Sequence, residues 1–254
     1  MTRLSGKVAL ITGGGTGIGR AIAFAFAHEG ASVAVAGRRV EKLREVTAGI
    51  AKAGGQAIAL ECDVTRAQDA ERAVAATAAK FGKLNVLVNN AGTLSVSTVA
   101  NIAEEDWDRV MTVNVKGPFL MSRAVLKEFR KAGGGAIVNI GSVLGLVAMQ
   151  NRAAYCASKG GVTMLTKAMA LDHADEKVRV NCICPSIVET DLVQGLFNDT
   201  EQGQALRKAR EGTIPLGRFG KPVDVAKLAV FLASDESSWI TGTAIPLDGG
   251  LTAF

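Results

Sequence analysis

The chain has 254 residues, 48% hydrophobic and 21% charged, with a net charge of +5; that supports one large α/β core, and without a break in composition residues 1–254 are expected to form a single domain. Its lysines and arginines are scattered instead of forming a run, which argues against a nucleic-acid partner. No segment reads as a signal peptide or a spanning helix, so no membrane association and a cytoplasmic location are expected.

KVALIT at 7–12 is a short apolar run, followed by GGGTGIG and then by the helical pattern RAIAFAFAHEG. This predicts a strand, a glycine turn and a helix. Gly13, Gly17 and Gly19 follow a G-x-x-x-G-x-G spacing, a variant of the dinucleotide fingerprint. Together with Gly15, Thr16 and Ile18 they suit a turn whose amides approach a pyrophosphate and whose helix N-terminus faces the anion. The alternative is a purely structural turn.

The second strand, ASVAVAG at 31–37, ends where dinucleotide folds place an acidic residue against the adenosine ribose. Here Gly37 is followed by Arg38 and Arg39. A carboxylate would repel a 2′-phosphate, whereas Gly37 leaves room and Arg38 offers a guanidinium fork. NADP(H) is therefore expected over NAD(H), which stays open. The alternative makes both arginines surface charges ahead of a helix beginning near Glu41.

Further strands are predicted in QAIALEC, NVLVN, AIVNIGS, VRVNCIC and TAIPL, with helices between them. Such alternation predicts an α/β fold, a doubly wound parallel sheet of about seven strands with helices on both faces. Ser142 closes AIVNIGS, and thirteen residues later NRAAYCASKGG carries Tyr155, Ser158 and Lys159. Tyrosine and lysine four apart share one helix face, so the Lys159 ammonium can lie beside the Tyr155 phenol and favour its ionised form. Alone the pair reads as packing plus a solvated lysine; beside a strand end where such sheets bind ligands, it reads as a proton-transfer site.

Cys62, Cys156, Cys182 and Cys184 lack metal-site spacing and histidine partners, so neither a metal nor a disulfide is expected, and Cys156 beside Tyr155 is a candidate for inactivating oxidation. Residues 190–214 exceed a usual connection, which suggests a substrate loop or lid, or else helices packed for stability.

TGGGTGIG at 12–19, NNAG at 89–92, Asn114 in NVKG, Ser142 and YCASK at 155–159 stand in an order that resembles the short-chain dehydrogenase/reductase family. The likeness extends from about Lys7 to PLDGG at 246–250 and covers reductases of 3-oxoacyl type and dehydrogenases of glucose type. It implies a Rossmann-like domain and a nicotinamide-dependent enzyme interconverting ketones and secondary alcohols. By the same resemblance Tyr155 is the general acid or base, Lys159 holds the nicotinamide ribose, Ser142 bonds the substrate oxygen and Asn114 orients Lys159. Asp63 and Val64 border the adenine, Asn90, Ala91 and Gly92 the ribose, and Pro185, Val188 and Thr190 the nicotinamide. A homotetramer is implied too, paired through the helices carrying Trp107–Arg130 and Ala153–His173. A nucleotide sensor without chemistry would be expected to lack one of Asn114, Ser142, Tyr155 and Lys159.

Two positions depart from the family pattern. Pro185-Ser186 replaces the usual Pro-Gly, and Thr16 stands where members preferring NADP often carry a basic residue.

The expected substrate wall is Leu94, Val96, Val143, Leu144, Ile187, Leu192, Leu196 and Phe197. These apolar residues suit a hydrophobic ketone or β-ketoacyl compound, since buried sugar hydroxyls would lack partners. A sugar or hydroxy-acid dehydrogenase is the alternative. Arg152, three residues before Tyr155, is where some members hold a substrate carboxylate; otherwise it is a solvated arginine.

Overall fold

The computed structural model describes residues 2–194, 197 and 200–253. Leu196 lies outside them, as does the side chain of Leu192.

Seven parallel strands form one sheet in the order β3-β2-β1-β4-β5-β6-β7. They are β1 (Val8–Thr12), β2 (Ser32–Gly37), β3 (Ala57–Glu61), β4 (Val86–Asn89), β5 (Gly135–Ile140), β6 (Val178–Pro185) and β7 (Ala244–Leu247). Alternate residues face opposite sides of a strand, and both sides here are apolar because both are covered. Ala9, Ile11, Val33, Val35, Val86 and Val88 pack with α1 (Gly17–His28), α2 (Val40–Lys52) and α9 (Pro222–Ala233). Val8, Leu10, Ala34, Ala36 and Leu87 pack with α3 (Ala67–Phe81), α5 (Gly117–Lys131) and α6 (Ala153–Asp172). Phe26 of α1 and Phe129 of α5 are fully buried on the two sides, each worth about 1.5–3 kcal/mol of apolar transfer.

The chain runs from β1 outward to β3 and then returns to β4 on the other side of β1. That reversal opens a crevice at the carboxyl ends of β1 and β4. The glycine turn leaves β1 on one side of it and Asn90–Gly92 leave β4 on the other. The predicted strand AIVNIGS stops at Ile140, so Gly141 and Ser142 project beyond the sheet. Between α4 (Glu104–Met111) and α5, residues Thr112–Lys116 form a π turn with Asn114 buried at its centre, which helical periodicity did not predict. Residues 190–214 contain α7 (Asp191–Gln194) and α8 (Glu201–Glu211). Among the described residues no helix is long and apolar enough to cross a membrane.

Candidate active site

The glycine turn is held from both strands. Asn90 donates through Nδ2 to the carbonyls of Thr12 (3.0 Å) and Gly13 (3.1 Å), while the Thr12 hydroxyl accepts from the amides of Asn90 (3.0 Å) and Ala91 (3.1 Å). Gly13 and Gly17 take φ values of +63° and +52°, which side chains disfavour. A Cβ on Gly19 would collide with the Gly13 carbonyl and the Asn90 amide. Thr16 precedes α1 without a side-chain cap, so the first amides of that helix, including Ile18, face the crevice. A turn tight enough to exclude side chains, ending in an uncapped helix, fits the pyrophosphate of a dinucleotide.

At the end of β2, a Cβ on Gly37 would find only Leu43 Cδ2, at 3.7 Å. Arg38 is exposed, and its guanidinium makes no hydrogen bond or ion pair among the described residues. Arg39 instead donates to Thr16 Oγ1 at 3.0 Å, tying the start of α2 to the glycine turn. That bond was not legible in the sequence. It puts a guanidinium beside the position where the family's basic residue is missing. On β3's continuation, the Asp63 carboxylate closes an Asx turn by accepting from the Thr65 amide (3.0 Å) and hydroxyl (2.7 Å), and Val64 packs over Gly117.

The four family positions converge on α6 and its neighbours. Lys159 is buried, donates to the Ile140 carbonyl at 2.9 Å and sits 5.6 Å from the centre of the Tyr155 ring. Its position over the ring is what the four-residue spacing predicts; its bond to the end of β5 is not. The Asn114 carboxamide is fixed by three bonds: Nδ2 donates to the Thr93 carbonyl (2.9 Å) and Ser158 Oγ (3.0 Å), and Oδ1 accepts from the Thr93 amide (2.8 Å). Ser158 in turn donates to the Tyr155 carbonyl at 2.8 Å. A Cβ built on Gly92 lies 3.4 Å from Asn114 Oδ1 and 3.8 Å from Lys159 Nζ, so these polar ends border the strand end of NNAG. Ser158 and Thr93 are thus working neighbours that the motif reading left without a role.

Ser142 accepts from the Leu144 amide at 3.1 Å and so opens the short turn Val143–Gly145. Beneath it the thiols of Cys182 and Cys184 lie 3.7 Å apart, both fully buried. A side chain on Gly141 would meet Cys182 Sγ at 2.5 Å, so this thiol pair forms the floor on which the serine turn rests. The Cys184 thiol beside it, together with burial, pushes the Cys182 thiol up; burial also pushes Cys62 up to about 11. Among the described residues no group of three metal-ligating side chains occurs.

The substrate side is more mixed than the sequence suggested. Leu94, Leu144, Ile187 and Phe197 are half-buried and Val96 is exposed. Val143 and Val188 turn into the body instead, at 3% and 4% exposure, so Val143 does not belong to the expected wall and Val188 offers only its backbone. Phe197 packs on Phe219 with ring centres 5.4 Å apart. Arg207 of α8 stacks on the same ring (5.1 Å), pairs with Glu189 and bonds Glu211 at 3.0 Å. These contacts dock α8 onto the segment after β6. Thr190 lies against Gly17 across the crevice, its methyl 3.1 Å from where a Cβ there would be. Pro185 ends β6, and Ser186 donates to the Asp248 carbonyl at 3.4 Å. Ser186 is not among the residues of positive φ, so the departure from Pro-Gly imposes no left-handed strain. Arg152 caps the start of α6 and donates to the Asn151 carbonyl at 3.0 Å. Burial first, and then the nearby Arg210, hold its guanidinium below the ordinary value.

A family model described as enoyl-(acyl carrier protein) reductase matches residues 13–252. The D-threitol dehydrogenase of Mycolicibacterium smegmatis is 42% identical over 250 residues, covering 98% of this chain and 94% of that protein. The 3-oxoacyl-(acyl-carrier-protein) reductase of Thermotoga maritima is 39% identical over 249 residues, covering 98% and 99%. Among solved structures, a short-chain type dehydrogenase/reductase from Mycobacterium marinum superposes with a TM-score of 0.92 at 38% identity, covering 100% of this chain and 98% of that one.

Proposed function

The chain belongs to the short-chain dehydrogenase/reductase family, whose members use nicotinamide cofactors, and is an oxidoreductase of alcohols and ketones; from that premise we propose an NADP(H)-dependent enzyme in which Tyr155 moves the proton. The observation that carries this reading is the buried Lys159 over the Tyr155 ring, with its nitrogen 2.9 Å from the carbonyl of Ile140. Bound nicotinamide supplies or accepts the hydride at the carbinol carbon. The Tyr155 hydroxyl gives its proton to the carbonyl oxygen in reduction and takes it back in oxidation. Lys159 lies over the same ring, and Ser142 Oγ donates to the same substrate oxygen. Asn114, fixed between Thr93 and Ser158, keeps the polar lining beside Lys159 in one arrangement. Gly13 to Gly19 and Asn90 to Gly92 hold the dinucleotide, with Arg38 and Arg39 on its adenosine 2′-phosphate.

For the substrate, the half-buried Leu94, Leu144 and Ile187 support a hydrophobic or β-ketoacyl compound over a sugar. The likeness to a D-threitol dehydrogenase favours a second reading, a sugar-alcohol or hydroxy-acid dehydrogenase. Following NADPH absorbance with ethyl acetoacetate and with an aldose separates them. The expected kcat/KM is at least tenfold higher for the ketoester; a preference for the aldose overturns the first reading.

We further propose a homotetramer. Phe119 on α5 and Met164 and Leu171 on α6 are apolar side chains 43%, 62% and 81% exposed, on the two helices expected to pair between subunits, where a symmetric contact would take them out of water. Light scattering at micromolar concentration is expected to give four times the 26.3 kDa chain mass. A monomer mass would refute the assembly.

A further inference from the structure

Ion pairs three residues apart recur on the helices of this molecule, and Lys42–Glu45, Arg44–Glu41 and Lys131–Glu128 each stay within their own helix. Exposed pairs of that kind contribute little. Arg109 of α4 begins in the same way, with Nη2 and Nε donating to Oδ1 of Asp106 at 2.7 and 3.2 Å. Its remaining nitrogen does something else: Nη1 leaves the helix and donates to Thr93 Oγ1 at 2.7 Å. A guanidinium is planar, so two bonds along one edge fix the direction in which the third nitrogen points.

Thr93 is the residue that follows NNAG, and Asn114 grips it from the other side. The Thr93 amide donates to Asn114 Oδ1 at 2.8 Å, and the Thr93 carbonyl accepts from Asn114 Nδ2 at 2.9 Å. Arg109 and Asn114 are five residues apart, which on an unbroken α-helix sets them about 140° out of phase. The π turn at Thr112–Lys116 widens the passage between them and brings such residues nearer to one side. Beyond Thr93 the chain continues through Leu94 to Ser97, whose amide donates to the Asn151 carbonyl at 3.0 Å just before α6. The segment that contributes Leu94 to the expected substrate wall is therefore pinned at both ends.

We propose that Arg109 is a positioning residue for the reaction at Tyr155. By holding the Thr93 hydroxyl it keeps in register both the Thr93 backbone that fixes Asn114 beside Lys159 and the first turn of the substrate wall. Small displacements of groups around the reacting atoms are expensive in rate, which gives an exposed arginine outside the pocket a hold on turnover. The inference rests on the oxidoreductase reading of this site and goes beyond it by naming a residue outside the four family positions.

The test takes the best substrate of a ketone panel that includes ethyl acetoacetate, and measures kcat, KM and the thermal midpoint for the wild type, Arg109→Met, Arg109→Lys, Thr93→Val, Thr93→Ser and the double variant Arg109→Met/Thr93→Val. Arg109→Met and Thr93→Val are each expected to lower kcat by about tenfold with little change in KM for NADPH. The double variant falls no further than either single one, because both remove the same bond. Arg109→Lys and Thr93→Ser, which keep a donor and an acceptor in place, recover most of the rate. A kcat unchanged in both single variants, whatever their thermal midpoints, overturns the proposal, and so do losses that multiply in the double variant. If the wild type reduces no ketone with NADPH or NADH, the oxidoreductase reading has failed, and hydrogen exchange at the Thr93 amide then reads the grip by itself. Exchange about tenfold faster in both single variants, and no faster still in the double one, supports the grip; exchange unchanged in both overturns it.

Discussion

Tyr155→Phe is expected to abolish turnover, by about 100- to 10,000-fold, while the protein folds and binds its cofactor as before. The Tyr155 hydroxyl has no hydrogen-bond partner among the described residues, and the neighbouring Ser158 bonds the Tyr155 backbone carbonyl, not its phenol. Removing the hydroxyl therefore strands no buried group, and the ring that Lys159 overlies at 5.6 Å stays in place. What is lost is the proton donor alone. A loss confined to kcat, with unchanged thermal midpoint and unchanged NADP(H) titration, is the expected pattern. Retention of more than about one tenth of wild-type turnover on a confirmed substrate would exceed what general-acid catalysis leaves behind and would remove Tyr155 from the proposed chemistry.

Arg38→Ala is expected to weaken NADP(H) by about 10- to 100-fold and to leave NAD(H) nearly unaffected, the size of one charge-assisted bond of roughly 1.5–3 kcal/mol. Arg38 is exposed and has no hydrogen bond or ion pair among the described residues, so its loss is expected to carry no folding penalty that confuses the result. Arg39, already bonded to Thr16, remains as the second positive group, which is why the preference should shrink without reversing. Fluorescence titration of the reduced cofactors against both proteins measures this. Equal affinities of the wild type for NADPH and NADH would refute the 2′-phosphate assignment.

The sheet was readable because most of its strand residues are apolar on both sides, β6 with its Arg179 and Asn181 being the mixed one, a pattern that a parallel sheet covered on two faces favours. The helix-face argument likewise brought Lys159 over Tyr155, since a spacing of four fixes that neighbour whatever surrounds it. Contacts between distant segments were not readable. Nothing in the sequence couples Arg39 to Thr16 or Lys159 to the Ile140 carbonyl, because each depends on how separate elements are laid beside one another. The direction of the Val143 side chain was not readable for a related reason: an apolar residue next to a functional one can face the substrate or the core, and this one faces the core.

The π turn at Thr112–Lys116 has a bearing on how insertions and deletions are tolerated. A π turn accommodates one residue more than an α turn and so offsets the helical phase of everything after it by about 100°. Upstream, that phase buries Val110; downstream, it buries Leu120, Met121, Val125 and Phe129. Asn114 sits at the junction, bonded to both Thr93 and Ser158. Deleting any one residue between 112 and 116 would let the segment relax to a continuous α-helix, and the two apolar stripes could then no longer meet their partners together. The extra residue acts as a phase adjuster between two correctly packed helices, and the buried Asn114 sits within that turn.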